Sequence, residues 1–175
     1  VPEVPTWRVV RRSLDHPDAA ALVEEVQLEY VARYGSRDET PIDPAYFEPP
    51  DGAFFVGYLD GEPVATGAWR RTDVTVDGVA SVVEVKRMYV APRAQRRGLA
   101  RLLLGHLERT AAVAGAGAVV LETGMRQPEA IALYTSSGYE EVPKFGYYRD
   151  SPLSRCFGKR LVDLPELRTN RTAST

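Results

Sequence analysis

The stretch VEVKRMYVAPRAQRRGLARLLLGHLE, Val83–Glu108, changes character halfway. An apolar, β-branched run, read as a strand over Ala80–Val90, stops at Pro92, which has no N–H to give to a ladder. Arginines and Gly98 follow. Leucines then recur at helical spacing: Leu99, Leu102, Leu103, Leu104, Leu107 and Ala111 form one broad apolar face, with Arg97, Arg101 and Glu108 opposite. Gln95–Gly98 therefore lead into a helix predicted to end near Ala114, and GAGAVVLET supplies a buried strand, Ala118–Thr123. A helix crossing between two strands implies that the strands are parallel.

The junction itself carries chemistry. The first N–H groups of a helix have no intrahelical acceptor, and the helix dipole adds partial positive charge at the same place. Gly98 lets a bulky anion approach the backbone, and Arg93, Arg96 and Arg101 are expected around the mouth. The stretch is neither the G-x-G-x-x-G of a dinucleotide fold nor the G-x-x-x-x-G-K-[ST] of a P-loop.

Upstream, Trp7–Arg11 reads as a first strand, and the helix after it runs to Gly35, with Leu22, Val26, Val31 or Tyr30, and Tyr34 inward and Glu24, Glu25 and Gln27 outward. A proline-rich link, SRDETPIDPAYFEPPDG, has room for one short helical turn. In AFFVGYLDGEPVATGAWRRT two strand-like runs flank Asp60-Gly61, a pair suited to a tight hairpin turn, and Asp77-Gly78 is a second turn signal before the Ala80–Val90 strand. Downstream, QPEAIALYTSSGY reads as a second amphipathic helix ending at Gly138, and YEEVPKF and SRCFGKRL as two more strands. The pieces assemble into a single α/β (α+β) domain over 1–164, a mixed and mostly antiparallel sheet with helices on both sides, followed by a polar tail, 165–175, expected to be mobile.

At 175 residues with 44% hydrophobic content the chain has the size of one domain. A formal charge of -2 provides no global basic field, which argues against nucleic acid or an anionic membrane as a main partner. The lone cysteine, Cys156, excludes an internal disulfide and suits a reducing cytoplasm; it reads as a small buried residue. No apolar run approaches a membrane span, and no metal ligand set is assigned. His106, within the apolar arc, is expected to be tucked in against a backbone group.

EVKRMYVAPRAQRRGLARLLL resembles the acetyl-CoA-binding segment of the GNAT superfamily of N-acetyltransferases: a strand ending in V-x-P, then [QR]-x-x-G-x-[GA], matched by Gln95, Gly98 and Ala100. A second block, N-x-x-A-x-x-L-Y-x-x-x-G-[FY], is matched by Ala130, Leu133, Tyr134, Gly138 and Tyr139, with Gln127 where asparagine is commonest. The resemblance implies a sheet splayed where acetyl-CoA enters, with Gln95 among the cofactor-binding residues and the pyrophosphate on the backbone amides of Arg96, Arg97, Gly98, Leu99, Ala100 and Arg101. It further implies that pantetheine runs along Met88, Tyr89 and Val90, with Tyr89 pointing its side chain to the opposite face, and that Gln127, Ala130 and Tyr134 complete the cofactor contacts.

The implied reaction is direct attack by a primary amine of a small molecule or peptide on the acetyl thioester, in a ternary complex. Three catalytic roles are implied with it. Glu84, six positions before Val90, is the general base; Tyr134 is the proton donor to the leaving thiolate; the Val90 N–H receives the oxyanion. Tyr30, Tyr34, Trp69, Tyr147 and Tyr148 fall in segments that this architecture places around the acceptor. Arg70, Arg71 and Arg149 suit an acceptor carboxylate, whereas Glu25, Glu29, Asp38 and Glu39 suit a polyamine or aminoglycoside. The alternative is a catalytically silent module that binds acyl-CoA and regulates a partner. A homodimer is the commonest assembly for such a chain.

Overall fold

A computed structural model describes residues 3–39, 43–125 and 127–161. The 165–175 tail and the last residues of the expected domain, 162–164, lie outside them.

Strand β1 (Trp7–Arg11) leads through His16, whose Nδ1 accepts the Asp18 N–H at 3.1 Å, into α1 (Pro17–Tyr34). Gly35 ends α1 in the left-handed conformation, φ 80°, and its N–H bonds the Val31 carbonyl. The proline-rich link holds one 3₁₀ turn, Pro44–Phe47. Strands β2 (Gly52–Leu59) and β3 (Glu62–Thr72) then form the hairpin on Asp60-Gly61, both at positive φ as a two-residue turn requires. After the Asp77-Gly78 turn come β4 (Val82–Val90), α2 (Leu99–Val113), β5 (Ala118–Gly124), α3 (Pro128–Ser136), β6 (Glu140–Glu141) and β7 (Ser154–Arg160).

The sheet order is β1-β2-β3-β4-β5-β7-β6. Every pair is antiparallel except β4 and β5, which α2 connects in parallel. Side-chain alternation sorts the core into two layers. Ala53, Phe55, Trp69, Val83, Val85, Val119 and Leu121 pack under α2 and α3, while Phe54, Val56, Tyr58 and Ala68 pack under α1.

Four side chains depart from the helical-wheel reading. Gln27 is buried, because its Oε1 accepts the Asp38 N–H at 2.8 Å and ties the chain after α1 back onto the helix. Glu108 is also buried, satisfied by Lys159 from β7 at 2.9 Å, a partner that a wheel does not contain. Leu102 is 52% exposed, since the apolar arc is wider than the strip of sheet it covers. His106 sits edge-on to Phe55, ring centroids 4.8 Å apart, rather than on a backbone group, and burial holds its pKa below the ordinary value. Cys156 is buried as expected.

Two irregularities in β4 position the site. The ladder to β3 gains an extra residue between Lys86 and Tyr89, where Arg87 takes φ 57° and its carbonyl accepts the buried Thr66 hydroxyl at 2.7 Å. This is a β-bulge, and it re-aims the strand beyond it. The parallel ladder to β5 ends at Val85–Leu121, although β4 continues to Val90 and β5 to Gly124. The sheet is therefore open at its middle.

Candidate active site

The first half of the site is the mouth of α2. Gly98 is its N-cap at φ 74°, with no side chain to cap the helix, and the first bond of the turn is Leu102 N–H to the Gly98 carbonyl at 3.2 Å. The N–H groups of Leu99, Ala100 and Arg101 thus have no acceptor within the helix. A Cβ at Gly98 would meet nothing within 4 Å, so the space over those amides is open. Arg96, also at positive φ, and Arg97 are exposed beside it. Leu99 is anchored below, against Ala94 and Leu103, and offers only its backbone.

Two expected charges are diverted. Arg93 bonds Glu62 at 3.0 Å and Glu25 at 3.2 Å, away from the mouth. Arg101 donates to Ser136 Oγ at 2.8 Å and Ser137 Oγ at 3.0 Å, which pins the start of α2 to the end of α3.

Gln95 links this mouth to the sheet. Its Nε2 donates to the Val90 carbonyl at 2.9 Å. The Ala91 N–H pairs with Val64 of β3 at 2.8 Å, so strand alternation turns the Val90 and Met88 backbone groups to the other side, the edge that β5 has left. Tyr89, between them, bonds β3 and buries its side chain among the α1-facing residues, its hydroxyl donating to Glu25 at 3.3 Å. Its side chain therefore faces away from that open edge.

The second half is a cavity of about 330 Å³ in the opening between β4 and β5. It takes walls from both layers: Val85, Met88, Ala130 and Tyr134 from the α2–α3 side, and Tyr30, Tyr34, Lys86, Arg87 and Glu122 from the α1 side. Only where the ladder is broken can one cavity touch both faces of a sheet. Gln127 lines it too, donating from Nε2 to the Tyr34 hydroxyl at 3.3 Å. Gly124 is needed here because a Cβ would overlap that hydroxyl. Tyr148 closes one side; its hydroxyl accepts the Glu39 N–H at 2.8 Å and donates to Asp38 Oδ1 at 3.0 Å.

Two members of the expected aromatic wall lie elsewhere. Trp69 is core under α2, its Nε1 donating to Thr110 at 3.0 Å, because it occupies an α2-facing position of β3. Tyr147 is 55% exposed and packs edge-on to Tyr148 outside the cavity.

The carboxylates also redistribute. Glu84 does not line the cavity. It lies within the paired part of β4, opposite Val120, and bonds Arg70 at 3.1 Å and Lys86 at 3.4 Å. Arg70 in turn lies over the Tyr46 ring. Glu122 is on the same face but one residue past the last β4–β5 pair, so it lines the opening. Burial, opposed by Lys86 and reinforced by Glu84 and Asp38, raises its pKa from 4.5 to about 7. The reading of the sequence missed Glu122. The available signal was a single carboxylate ending the apolar run AVVL. Tyr134 is buried, edge-on to Tyr139 at 5.7 Å, and burial holds its phenol well above the ordinary pKa.

A glycine-capped helix mouth is tied by Gln95 to the end of a strand edge that has no partner strand, and Met88 on that edge lines a cavity holding a carboxylate of near-neutral pKa. The chain is similar to several known proteins. A curated relative, IAA acetyltransferase of Azospirillum brasilense, is 32% identical over 158 residues, covering 90% of this chain and all of the relative. A solved Klebsiella pneumoniae structure described as an acyl-CoA N-acyltransferase superposes with TM-score 0.68 at 26% identity, covering 89% of this chain and 97% of that one. A GNAT family acetyltransferase from Elizabethkingia anophelis, solved with acetyl-CoA bound, shares the fold at TM-score 0.61 and 13% identity, over 88% and 97% of the two chains. Residues 19–139 match the acetyltransferase (GNAT) family, and the chain belongs to it.

Proposed function

We propose that this GNAT acetyltransferase moves an acetyl group from acetyl-CoA to a primary amine by direct attack, with Glu122 as the base. Acetyl-CoA is its cosubstrate, and the residues present fit it: uncapped amides at Leu99–Arg101, open space over Gly98 and a strand edge beyond Val85 that has no partner strand, with the Val90 carbonyl held by Gln95 and its N–H facing the opening. When bound, it supplies an activated acetyl thioester.

The chain's own residues divide the remaining work. The Leu99–Arg101 amides hold the diphosphate, and Met88 and Val90 guide the pantetheine arm. A lysine-like amine has a pKa near about 10.4, so at neutral pH it arrives protonated and needs a base. Glu122, held near neutrality inside the cavity, accepts that proton at its carboxylate, directly or through one water. Glu84 acts at a distance: its charge helps to raise the Glu122 pKa, and Lys86, ion-paired with Glu84, opposes it. The Val90 N–H, facing the open edge, receives the developing oxyanion. Tyr134 keeps its proton because burial disfavours the phenolate, so its hydroxyl can donate a hydrogen bond to the departing thiolate, and a proton passed to the sulfur is replaced by the one that the attacking nitrogen releases, so that no phenolate is left.

The observation that carries this reading is the broken β4–β5 ladder, with Glu122 and Tyr134 reaching the same opening from opposite faces. The test is a panel of primary amines with acetyl-CoA, following thiol release and the mass of the acceptor. One added acetyl group per thiol released supports transfer. Acetyl-CoA binding with no thiol release on any amine would leave the silent binding module instead.

A further inference from the structure

Arg87 is the least satisfied charged side chain in the cavity wall. Only 4% of its side chain is exposed, and its Nη1 and Nη2 are buried without a hydrogen-bond partner among the described residues. Its counter-charge among the described residues is Asp38, whose Oδ2 stands 3.8 Å from Nη1, close enough for attraction and too far for a hydrogen bond. A buried guanidinium brings planar, directed donors, and leaving them unused inside a protein is expensive. The conformation is not accidental. Arg87 is the bulge residue at φ 57°, a region that costs non-glycine residues energy, and the Thr66 hydroxyl holds its carbonyl there.

What can satisfy such a group is limited by chemistry. A carboxylate accepts two parallel N–H donors from a guanidinium, whereas an amine or an apolar group accepts none here. Asp38 already stands where such a carboxylate belongs, but it is held back: its N–H is bound to Gln27 at 2.8 Å and its Oδ1 takes the Tyr148 hydroxyl at 3.0 Å. Arg87 and Glu122 line the same cavity, whose size of about 330 Å³ admits a small molecule. We infer that the acceptor is an amino-acid-like amine, whose carboxylate displaces the Asp38 side chain to pair with Arg87 while its amine meets Glu122. Arg87 is thus a specificity-determining residue. The inference rests on the proposed acceptor role of the cavity.

The experiment compares matched pairs with the CoA-loaded protein by calorimetry: tyrosine and tyramine, tryptophan and tryptamine, lysine and cadaverine. The acid-bearing member of at least one pair is expected to bind on the order of 10²-fold more tightly than its decarboxylated partner, because a site built for a polar group discriminates strongly against its loss. Arg87→Gln should collapse that ratio toward one, and Arg87→Lys should restore part of it. Asp38→Asn, which removes the competing carboxylate, should widen the ratio. Equal affinities within every pair, no binding of any acid-bearing member, or a ratio untouched by Arg87→Gln would each overturn the inference. Turnover separates it from the transferase reading. Preferred acetylation of the decarboxylated amines would sink the carboxylate and leave the transferase; carboxylate-dependent binding without acetylation of anything would do the reverse.

Discussion

The mouth of α2 and the cavity at the β4–β5 opening lie at the two ends of the unpaired stretch of β4 but are built in opposite ways. The mouth is a single run, Gln95–Arg101, whose chemistry is backbone N–H groups, and any helix beginning at an uncapped glycine presents them. The cavity is assembled from the end of α1, the β4 bulge, the end of β5, the start of α3 and the chain around Tyr148. Its chemistry is side chains, and their properties depend on neighbours far away in sequence. A backbone site is robust to side-chain changes and sensitive to φ and to added volume. A side-chain site is sensitive to charge and register.

The largest effect should come from the cavity. Glu122→Gln is expected to lower kcat/KM by about 10²–10⁴-fold, the range for losing a general base. The wild-type rate should fall as pH drops through about 7, because the base works as the carboxylate, and this limb should vanish in the variant. Stability moves the other way. Between 4.5 and about 7 the folded protein holds a proton that the unfolded chain has released, so stability declines as pH rises through that window. Glu122→Gln should therefore gain in Tm relative to wild type at pH ~8 compared with pH ~5. A full rate with the pH limb intact would return the base role to Glu84.

At the mouth, Gly98→Asp should weaken acetyl-CoA by on the order of 10²-fold, since it sets a carboxylate over amides meant for an anion and forces φ 74° on a residue with a side chain. Circular dichroism should remain that of the wild type, because nothing lies within 4 Å of the new Cβ. Unchanged affinity by calorimetry would remove the diphosphate from this junction. Between the two regions, Tyr134→Phe should reduce turnover by roughly 10-fold, more than it reduces acetyl-CoA affinity. Equal turnover at saturation would make Tyr134 packing alone. The smallest effect is expected from Gly124→Ala, whose Cβ displaces the Tyr34 hydroxyl and should raise the acceptor KM about 3-fold or more, as modest overpacking does. A matching change in acetyl-CoA affinity would mean that the two regions are less separate than they look.

The elements were legible because their signals are local. Asp60-Gly61, Gly35 and Pro92 each fix the backbone within a few residues, and β1 runs over Trp7–Arg11 as read. Met88, Gln127, Ala130, Tyr134, Tyr30, Tyr34 and Tyr148 do gather at the cavity. Trp69 and Tyr147 do not, because their positions depend on which face of β3 and which side of a loop they take. Glu84 and Glu122 show the same limit more sharply. Both lie on one face of adjacent strands, and the point where the ladder stops separates an ion-paired carboxylate from one that faces the opening.

The sequence alone determined that a strand would end at a proline, that a helix would begin at a bare glycine and that its first amides would lack acceptors within the helix, because each depends on φ preferences and hydrogen bonds among near neighbours. The tertiary structure decided which carboxylate is drawn toward neutrality and which arginine is buried without a hydrogen-bond partner among the described residues. Those outcomes follow from strand register, from the bulge at Arg87 and from the separation of β4 and β5 after Val85, all of which are set by contacts between distant parts of the chain.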